Sequence, residues 1–585
     1  MSQDPSQIPQ PHSGVTQLAT SRPRVLGWLR SAAILDGDWG TSVAYVMGIG
    51  FALAGHSSFW HLSFMMALTA LVAFNYISIC RLYPGGGGVY TSVYHRSHLL
   101  AVFGALLLAA DYVVTMALSV LDACHYLGLP HPALWAILII LAIGTINWYG
   151  PRHSGGLALA ISGFTILILL IVIVASAPTA VTSATIAPPE RGLFHNWGIF
   201  VGFILSLSGI EAISNMTGLM KDPARDSKRA ILSVLTKVIL VNAFLGLAML
   251  AVQGLNPGDH LEDMLRFLGE HYVGHWFGWF VALSLGVLLI SAGNTALNGL
   301  ISIQFLMSVD KELPSSLRRL NRHGVPIIPL MVTTLVPIVV LLLVSDVEAL
   351  SHLYAIGLVG AMTINIGSTA TDKSVYLKPL EKFFMLVSAT ILFLVEISIA
   401  VKKTDATIFA LAILALGLAA RAVAKRKLRA VPAVPELVPA PVSARRRRRK
   451  ELPSTKYLVA VKEMSEKLLR FAAEEARARN AFLFVLRVKE IAVGALPAML
   501  EMPTNGQEQR IEEICTEAGI DFQSLQIPSY DVGYTIAEQA ATFGVDRVII
   551  GAQHRSRLEY ALKGSVMRSL NTLLPEEVQL VIFGG

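Results

Sequence analysis

The sequence predicts an α-helical polytopic membrane protein followed by a soluble α/β domain. Three observations predict it. Of the 585 residues, 54% are hydrophobic and 15% charged, where a soluble chain carries about 25% charged residues, and mean hydropathy is +0.58. Apolar segments of roughly 20 residues, the length that crosses a bilayer, recur up to position 424. Beyond that point, short β-type runs alternate with amphipathic helical ones.

Twelve spans are predicted, at 31–54, 60–80, 98–126, 132–149, 155–177, 196–219, 230–253, 275–300, 326–345, 350–370, 382–401 and 405–424. Residues 1–21 are polar and rich in Pro, Gln and Ser. They lack a signal peptide's apolar core and are expected to form a disordered tail. Residues 22–425 form the transmembrane domain. The loops set orientation, because Lys and Arg concentrate on the cytoplasmic side. With the N-terminus inside, the inner loops carry Arg81, Arg96, Arg152, Lys221, Arg225, Lys228, Arg229, Lys311, Arg318 and Arg319. The outer loops carry Arg191, Arg266, Lys402 and Lys403, with the acids Asp259, Glu262, Asp263 and Glu270. An even number of spans then puts both termini in the cytoplasm.

Residues 426–454 read as a stiff linker, with its prolines and the basic run Arg445 to Lys450. That run is placed either to meet anionic lipid or to stand solvated. The net charge of +7 lies mostly in loops and in this run, so no nucleic-acid partner is implied. Cys80, Cys124 and Cys515 have neither disulfide-framework nor zinc spacing, and no transition-metal site is predicted. No Walker loop is present for ATP-driven pumping, and nothing in the chain suggests an enzyme.

The first span contains "ILDGDWGTSVAY", residues 34–45, with Asp36, Gly37, Asp38 and Gly40 inside an apolar stretch. A charge in hydrocarbon costs several kcal/mol. Unwound backbone survives at that depth only where it lines an enclosed or wet cavity. The sixth span has "LSLSGIEAISNMTG", with Ser208, Gly209 and Glu211 in mid-helix. Breaks at the start of each of two five-helix halves signal a 5+5 inverted-repeat transporter with its site between them. The symmetry rests on the breaks alone. In the third span, Asp111, Thr115 and Ser119 follow at spacings of four, near one helix face.

Asp38, Asp111 and Glu211 have no Lys or Arg in the interior of their own spans. Buried carboxyl groups of this kind must be protonated or bind a cation. Carboxylate, hydroxyl and carbonyl oxygens suit a hard cation. The competing readings are structural. Asp36 and Asp38 would cap the first helix in water, Asp36 more readily. Thr115 and Ser119 would bond their own backbone. Asp122 and His125 read as interfacial, Tyr45 and Tyr354 as packing or site-lining, and Asn294 and Asn298 as helix–helix glue.

These motifs resemble the APC superfamily (amino acid–polyamine–organocation transporters). "YPGGGGVYTSV" at 83–93 is similar to that superfamily's Tyr-Pro-x-Gly-Gly-Gly-x-Tyr stretch. The match is closest to the KimA-type potassium importers. Their first helix reads Asp-Ala-Leu-Ser-Ser-Val-Ala-Tyr, like Asp38 to Tyr45 here. Their third carries Asp-Tyr followed by Thr and Ser, like Asp111, Tyr112, Thr115 and Ser119. Their sixth reads Thr-Gly-Val-Glu-Ala-Ile-Ser-Asn, like Ser208 to Asn215, with Ser208 keeping the hydroxyl. Tyr354 matches a tyrosine of their tenth helix. The Glu that often follows the first-helix tyrosine is absent, with Val46 and Met47 in its place.

The resemblance implies a LeuT/APC-like fold and potassium uptake coupled to proton entry by alternating access, in a bacterial-type inner membrane. It assigns Asp38, Tyr45, Asp111, Tyr112, Thr115, Ser119, Ser208, Glu211 and Tyr354 to the cation path, with any of the three acids able to carry the proton. The rival is an amino acid or polyamine permease of the same fold. Amino acid permeases usually leave bare amides at the first break to hold a substrate carboxylate, and here Asp38 would repel one. A membrane-anchored sensor is a further rival, against which the intramembrane acids argue.

Residues 455–585 alternate strand and helix, which implies a parallel sheet. They resemble the universal-stress-protein domain that those importers carry. ATP-binding members hold phosphates in Gly-x2-Gly-x9-Gly-Ser/Thr. Here Gly551, Gly564 and Ser565 fit, His554 replaces a glycine, and Lys462 stands where Asp is usual. The resemblance instead implies a homodimer, pairing through Val578 to Phe583, and a regulatory cyclic di-AMP in preference to ATP. Arg555 and Lys563 are the candidate phosphate contacts, and a ligand-free dimerisation module is the alternative.

Overall fold

The computed structural model describes residues 16–17, 24, 26–150, 155–189, 192–430, 455–461, 465–492, 507–529, 531–552 and 557–584. His554, Arg555 and Lys462 lie outside them. The first described element is a two-residue strand, β1 (Thr16–Gln17), inside the expected tail, whose other residues lie outside the described ones. The first span follows in three pieces: α1 (Trp28–Asp36), a 3-10 turn (Trp39–Thr41) and α2 (Ser42–Ala54). Gly55, with φ +52°, separates α2 from α3 (Ser58–Leu82). The glycine run then turns into α4 (Gly88–Tyr94). Gly86 and Gly87 have φ of +79° and +90°, where an L side chain is strained.

The third to fifth spans are α5 (His98–Tyr126), α6 (Pro132–Trp148) and α7 (Gly155–Ser183). The sixth is again discontinuous: α8 (Leu193–Gly202), a 3-10 turn (Phe203–Leu207) and α9 (Ala212–Met216). Next comes α10 (Pro223–Leu250), where Asp222 caps the Arg225 amide and Pro223 fills the first helical position. The short α11 (Met264–Tyr272) precedes α12 (His275–Val309), α13 (Ile327–Leu343), α14 (Val347–Thr371), α15 (Pro379–Lys402) and α16 (Thr404–Ala430). Helix α16 thus runs into the expected linker.

Among the described residues, nine helical stretches are long and apolar enough to cross a membrane, and Pro132–Trp148 and Ile327–Leu343 are shorter apolar helices. One of the nine, Trp39–Leu82, holds the second half of the first span and all of the second. All twelve expected spans are therefore helical. Helices α5 and α14 are buried along most of their length and form the centre. Helices α7, α15 and α16 expose apolar residues such as Leu170, Val174, Phe393 and Leu416 to the surroundings. At one end of the bundle the fully buried Glu312 accepts from Arg421 Nε (2.6 Å) and Lys425 Nζ (2.7 Å), holding the end of α16.

The second domain contains β2 (Lys456–Val461), α17 (Glu466–Ala478), β3 (Phe482–Glu490), α18 (Gln507–Glu517), β4 (Phe522–Ser529), α19 (Val532–Phe543), β5 (Arg547–Gly551), α20 (Arg557–Lys563), α21 (Val566–Leu573) and β6 (Gln579–Phe583). The sheet order is β1-β4-β3-β2-β5-β6. All neighbours are parallel. Helices cover both faces: Leu468, Ile511 and Ile514 on one, Ile536 and Leu570 on the other. Each such side chain stabilises the domain by about 1.5–3 kcal/mol on burial. Ser465 caps α17 by accepting from Leu468 N, as its position predicts.

The domain rests on the loop between α12 and α13. Ala492 N donates to Gly324 O at 2.8 Å. The buried Lys563 donates to His323 O (2.8 Å) and pairs with Glu490 (3.1 Å). His323 Nδ1 meets Glu559 Oε1 at 2.8 Å.

Candidate functional site

The two helix breaks meet. Gly209 has φ +89°, and a Cβ on it would stand 2.5 Å from Trp39 N and 2.7 Å from the Asp38 carbonyl carbon. Only a glycine lets the sixth span's break lie against the first's. Trp39 is fully buried and donates its indole N–H to Ser206 O (3.3 Å), adding a second tie between the breaks.

Around this contact the structure gathers the sequence-predicted residues. Tyr45 OH donates to Ser208 Oγ at 3.1 Å, and Ser208 Oγ also bonds Tyr354 OH. One bond thus links the first and sixth spans, and the other reaches α14. Asp111 comes from α5, where Gly357 of α14 leaves room: a Cβ there would sit 2.7 Å from Asp111 N. Thr115 Oγ1 donates to Asp111 O (2.9 Å) and lies 3.4 Å from Asp111 Oδ1. Ser119, one turn further on, is buried. Tyr112 points to the other side of α5 and accepts from Asn215 Nδ2 at 2.5 Å. Behind Asn215 stands the glycine turn, where a Cβ on Gly86 would come within 2.8 Å of Asn215 O. The 83–93 motif therefore braces the sixth span and, through it, Tyr112.

Asp38, Asp111 and Glu211 are 1%, 0% and 5% exposed. The three lie within electrostatic range of one another. One oxygen of each has no hydrogen-bond partner: Asp38 Oδ2, Asp111 Oδ2 and Glu211 Oε2. Like charges enclosed together away from water repel one another far more strongly than in solvent. Three ionised carboxylates would therefore not share this volume. Protons, a cation, or both must neutralise them.

Asp36 differs from the expected water-exposed cap. It is buried, and Lys237 Nζ of α10 pairs with its Oδ1 at 2.6 Å while Ser162 Oγ of α7 donates to its Oδ2 at 2.5 Å. Lys237 is missing from the sequence-predicted residues, although a lone Lys in "ILSVLTKVILVNAF" is itself a signal. Asp122 also differs from its interfacial expectation, being fully buried. Asn294 does act as glue: Asn147 Nδ2 of α6 donates to its Oδ1 at 2.7 Å, and Asn298 Nδ2 bonds Asn294 O.

In the α/β domain, Gly551 ends β5, Gly564 has φ +71°, and Ser565 caps α21 by accepting from Arg568 N. The Lys563 ammonium is committed to His323 and Glu490.

Broken helices meeting at a buried polar centre define a multi-pass membrane transporter. The amino acid permease family model matches residues 26–420, and this chain belongs to that family. Residues 454–578 match the universal stress protein family. An uncharacterized transporter of Mycobacterium tuberculosis is 26% identical over 302 residues, 48% of this chain and 64% of the relative. One from Legionella pneumophila is 24% identical over 305 residues, with the same shares. An L-methionine/branched-chain amino acid exporter of Escherichia coli is 27% identical over 204 residues, 33% of this chain and 48% of the relative. The chain thus spans about two-thirds or less of the length of these curated relatives.

Proposed function

We propose that this chain imports potassium together with protons by alternating access, with both termini in the cytoplasm. One observation carries the reading: at the meeting of the breaks, three buried carboxyl groups each keep an oxygen without a partner, whereas Asp36 nearby has its lysine. An arrangement that fixes one acid with a tethered cation and leaves three open is suited to a mobile cation. Tyr45, Ser208, Tyr354 and Thr115 supply neutral oxygens, and the cation replaces its hydration shell with these and the carboxylates. Because one monovalent ion neutralises one charge, protons balance the remaining carboxyl groups, which couples the two fluxes. Rocking of one helix bundle against the other then exposes the site to either side.

The test is potassium-limited growth and rubidium uptake in a strain lacking its own uptake systems. The intact chain should restore both, and Asp38→Asn, inserted at equal level, should lose at least tenfold in uptake. Uptake unchanged in Asp38→Asn would demote that acid to a structural role. The second reading is an amino acid or polyamine permease, and the family and the Escherichia coli relative favour its amino acid form. It predicts no rubidium uptake, and accumulation of a labelled amino acid or polyamine instead.

For the α/β domain the reading is regulation, with a homodimer through β6 and a cyclic di-AMP-type ligand in preference to ATP. The sheet's other edge is covered by β1, and β6 carries Ile582 at 49% exposure. Ile582→Asp should convert the detergent-solubilised dimer to monomer in light scattering. A dimer that persists would refute pairing at this edge.

A further inference from the structure

The central site leaves one buried acid of α5 unused. Asp122 lies eleven residues beyond Asp111, which places it roughly 16 Å along the helix and within about 20° of the same face. Thr115 and Ser119 stand between them, within about 80° of arc. One face of α5 therefore presents a row of oxygens running from the central site toward the end of the bundle away from the α/β domain.

Asp122 is fully buried, and neither of its carboxyl oxygens has a hydrogen-bond partner. A proton alone would not satisfy it, because a carboxylic acid is itself a donor that needs an acceptor. Its charged neighbours are Glu262 and Asp263, from the segment leading into α11. That segment closes over α2: a Cβ on Gly48 would lie 3.0 Å from His260 O. Of the surrounding groups, His125 meets Glu262 Oε2 through Nδ1 (2.5 Å) and keeps its Nε2 without a partner, and His260 pairs with Asp263 (2.9 Å). Arg266 bonds Glu270 at 3.0 Å and Tyr126 O at 3.3 Å, and its guanidinium lies over the Trp279 ring at 4.8 Å. Among the described residues, no basic side chain pairs with Asp122 itself.

We propose that Asp122, with Glu262 and Asp263, forms a second site for a monovalent cation at the outer mouth, where the ion waits before passing Ser119 and Thr115 to Asp111. The inference rests on the cation-import reading. The acids of the covering segment draw the ion in, and Asp122 strips part of its water. This outer site is the weaker of the two, because one buried acid serves it where three serve the centre.

The experiment is rubidium binding to the full chain in lipid nanodiscs, with uptake measured in parallel. The intact protein should bind rubidium at two classes of site. Asp122→Asn should remove the weaker class, halve the stoichiometry, and raise the uptake KM at least tenfold with kcat changed less than threefold. Asp111→Asn should remove the tighter class instead. A single class in the intact protein, or unchanged stoichiometry and KM in Asp122→Asn, would overturn the outer site while leaving central transport intact. No rubidium binding by the intact protein would overturn the import reading, and the outer site with it. If Asp122→Asn does not elute as a folded species, the double variant Glu262→Gln/Asp263→Asn is read instead. It should show the same KM rise, and an unchanged KM there would overturn the proposal.

Discussion

Asp36 and Asp38 stand two residues apart and have different surroundings. Lys237 and Ser162 occupy both oxygens of Asp36, whereas Asp38 keeps an oxygen open. The Asp36–Lys237 pair joins α1 to α10 beside the break, with side chains 3% and 11% exposed. Removing one member of a buried pair leaves an uncompensated charge and costs about 3–5 kcal/mol, while replacing both with apolar residues is often near neutral. Lys237→Met should therefore lower the thermal unfolding temperature markedly in a fluorescence melt. The double variant Asp36→Leu/Lys237→Met should recover most of the loss. A single variant that melts like the parent would mean that the pair contributes nothing to holding α1.

Among the elements, the two discontinuous spans depend on one glycine for their contact. A methyl group at Gly209 would collide with the Trp39 amide and the Asp38 carbonyl carbon, at 2.5 and 2.7 Å, and φ of +89° is itself unfavourable for alanine. Gly209→Ala should abolish transport in the uptake assay while the protein still inserts and elutes as a folded species. Transport at the parent's rate would show that the breaks need not touch. Both breaks were legible in the sequence, because acids and glycines inside apolar runs are costly unless they line an enclosed polar site. So were the alternating strands and helices of the second domain. Strand β4 was not: Gln523, Ser524, Gln526 and Pro528 leave it only Leu525 and Ile527 as an apolar alternation, yet its residues are mostly buried between sheet neighbours and helices. The partner of Asp36 lies 201 residues away, and no local pattern announces such a pairing. The burial of Asp122 was hidden for a related reason: distance along α5 suggested an interface, while the segment before α11 covers it.

At the scale of the whole molecule, the α/β domain and the transporter meet through a contact whose chemistry depends on the proton. His323 accepts from Arg322 Nε at its Nε2 (2.9 Å) and faces Glu559 through Nδ1 (2.8 Å). That geometry suits the neutral ring, with Nδ1–H donating to the carboxylate. Burial pushes the His323 pKa down, and Lys563 and Arg322 add to this against the opposing pull of Glu559. A free histidine titrates near pH 6.5. If the domain lifts from the loop, His323 becomes solvated and takes up protons more readily than in the docked state. Docking therefore has its full strength above about pH 6.5 and loses it as pH falls through the lowered docked value. Hydrogen exchange of residues 321–325 and 557–564 should be slow at pH 7.5. After correction for intrinsic rates, it should accelerate severalfold toward pH 5.5. His323→Gln cannot titrate and should flatten that dependence. Acceleration that persists in His323→Gln would place the proton-sensitive group elsewhere. Lys563→Met should loosen the contact at every pH, since it removes the ammonium that holds both His323 O and Glu490.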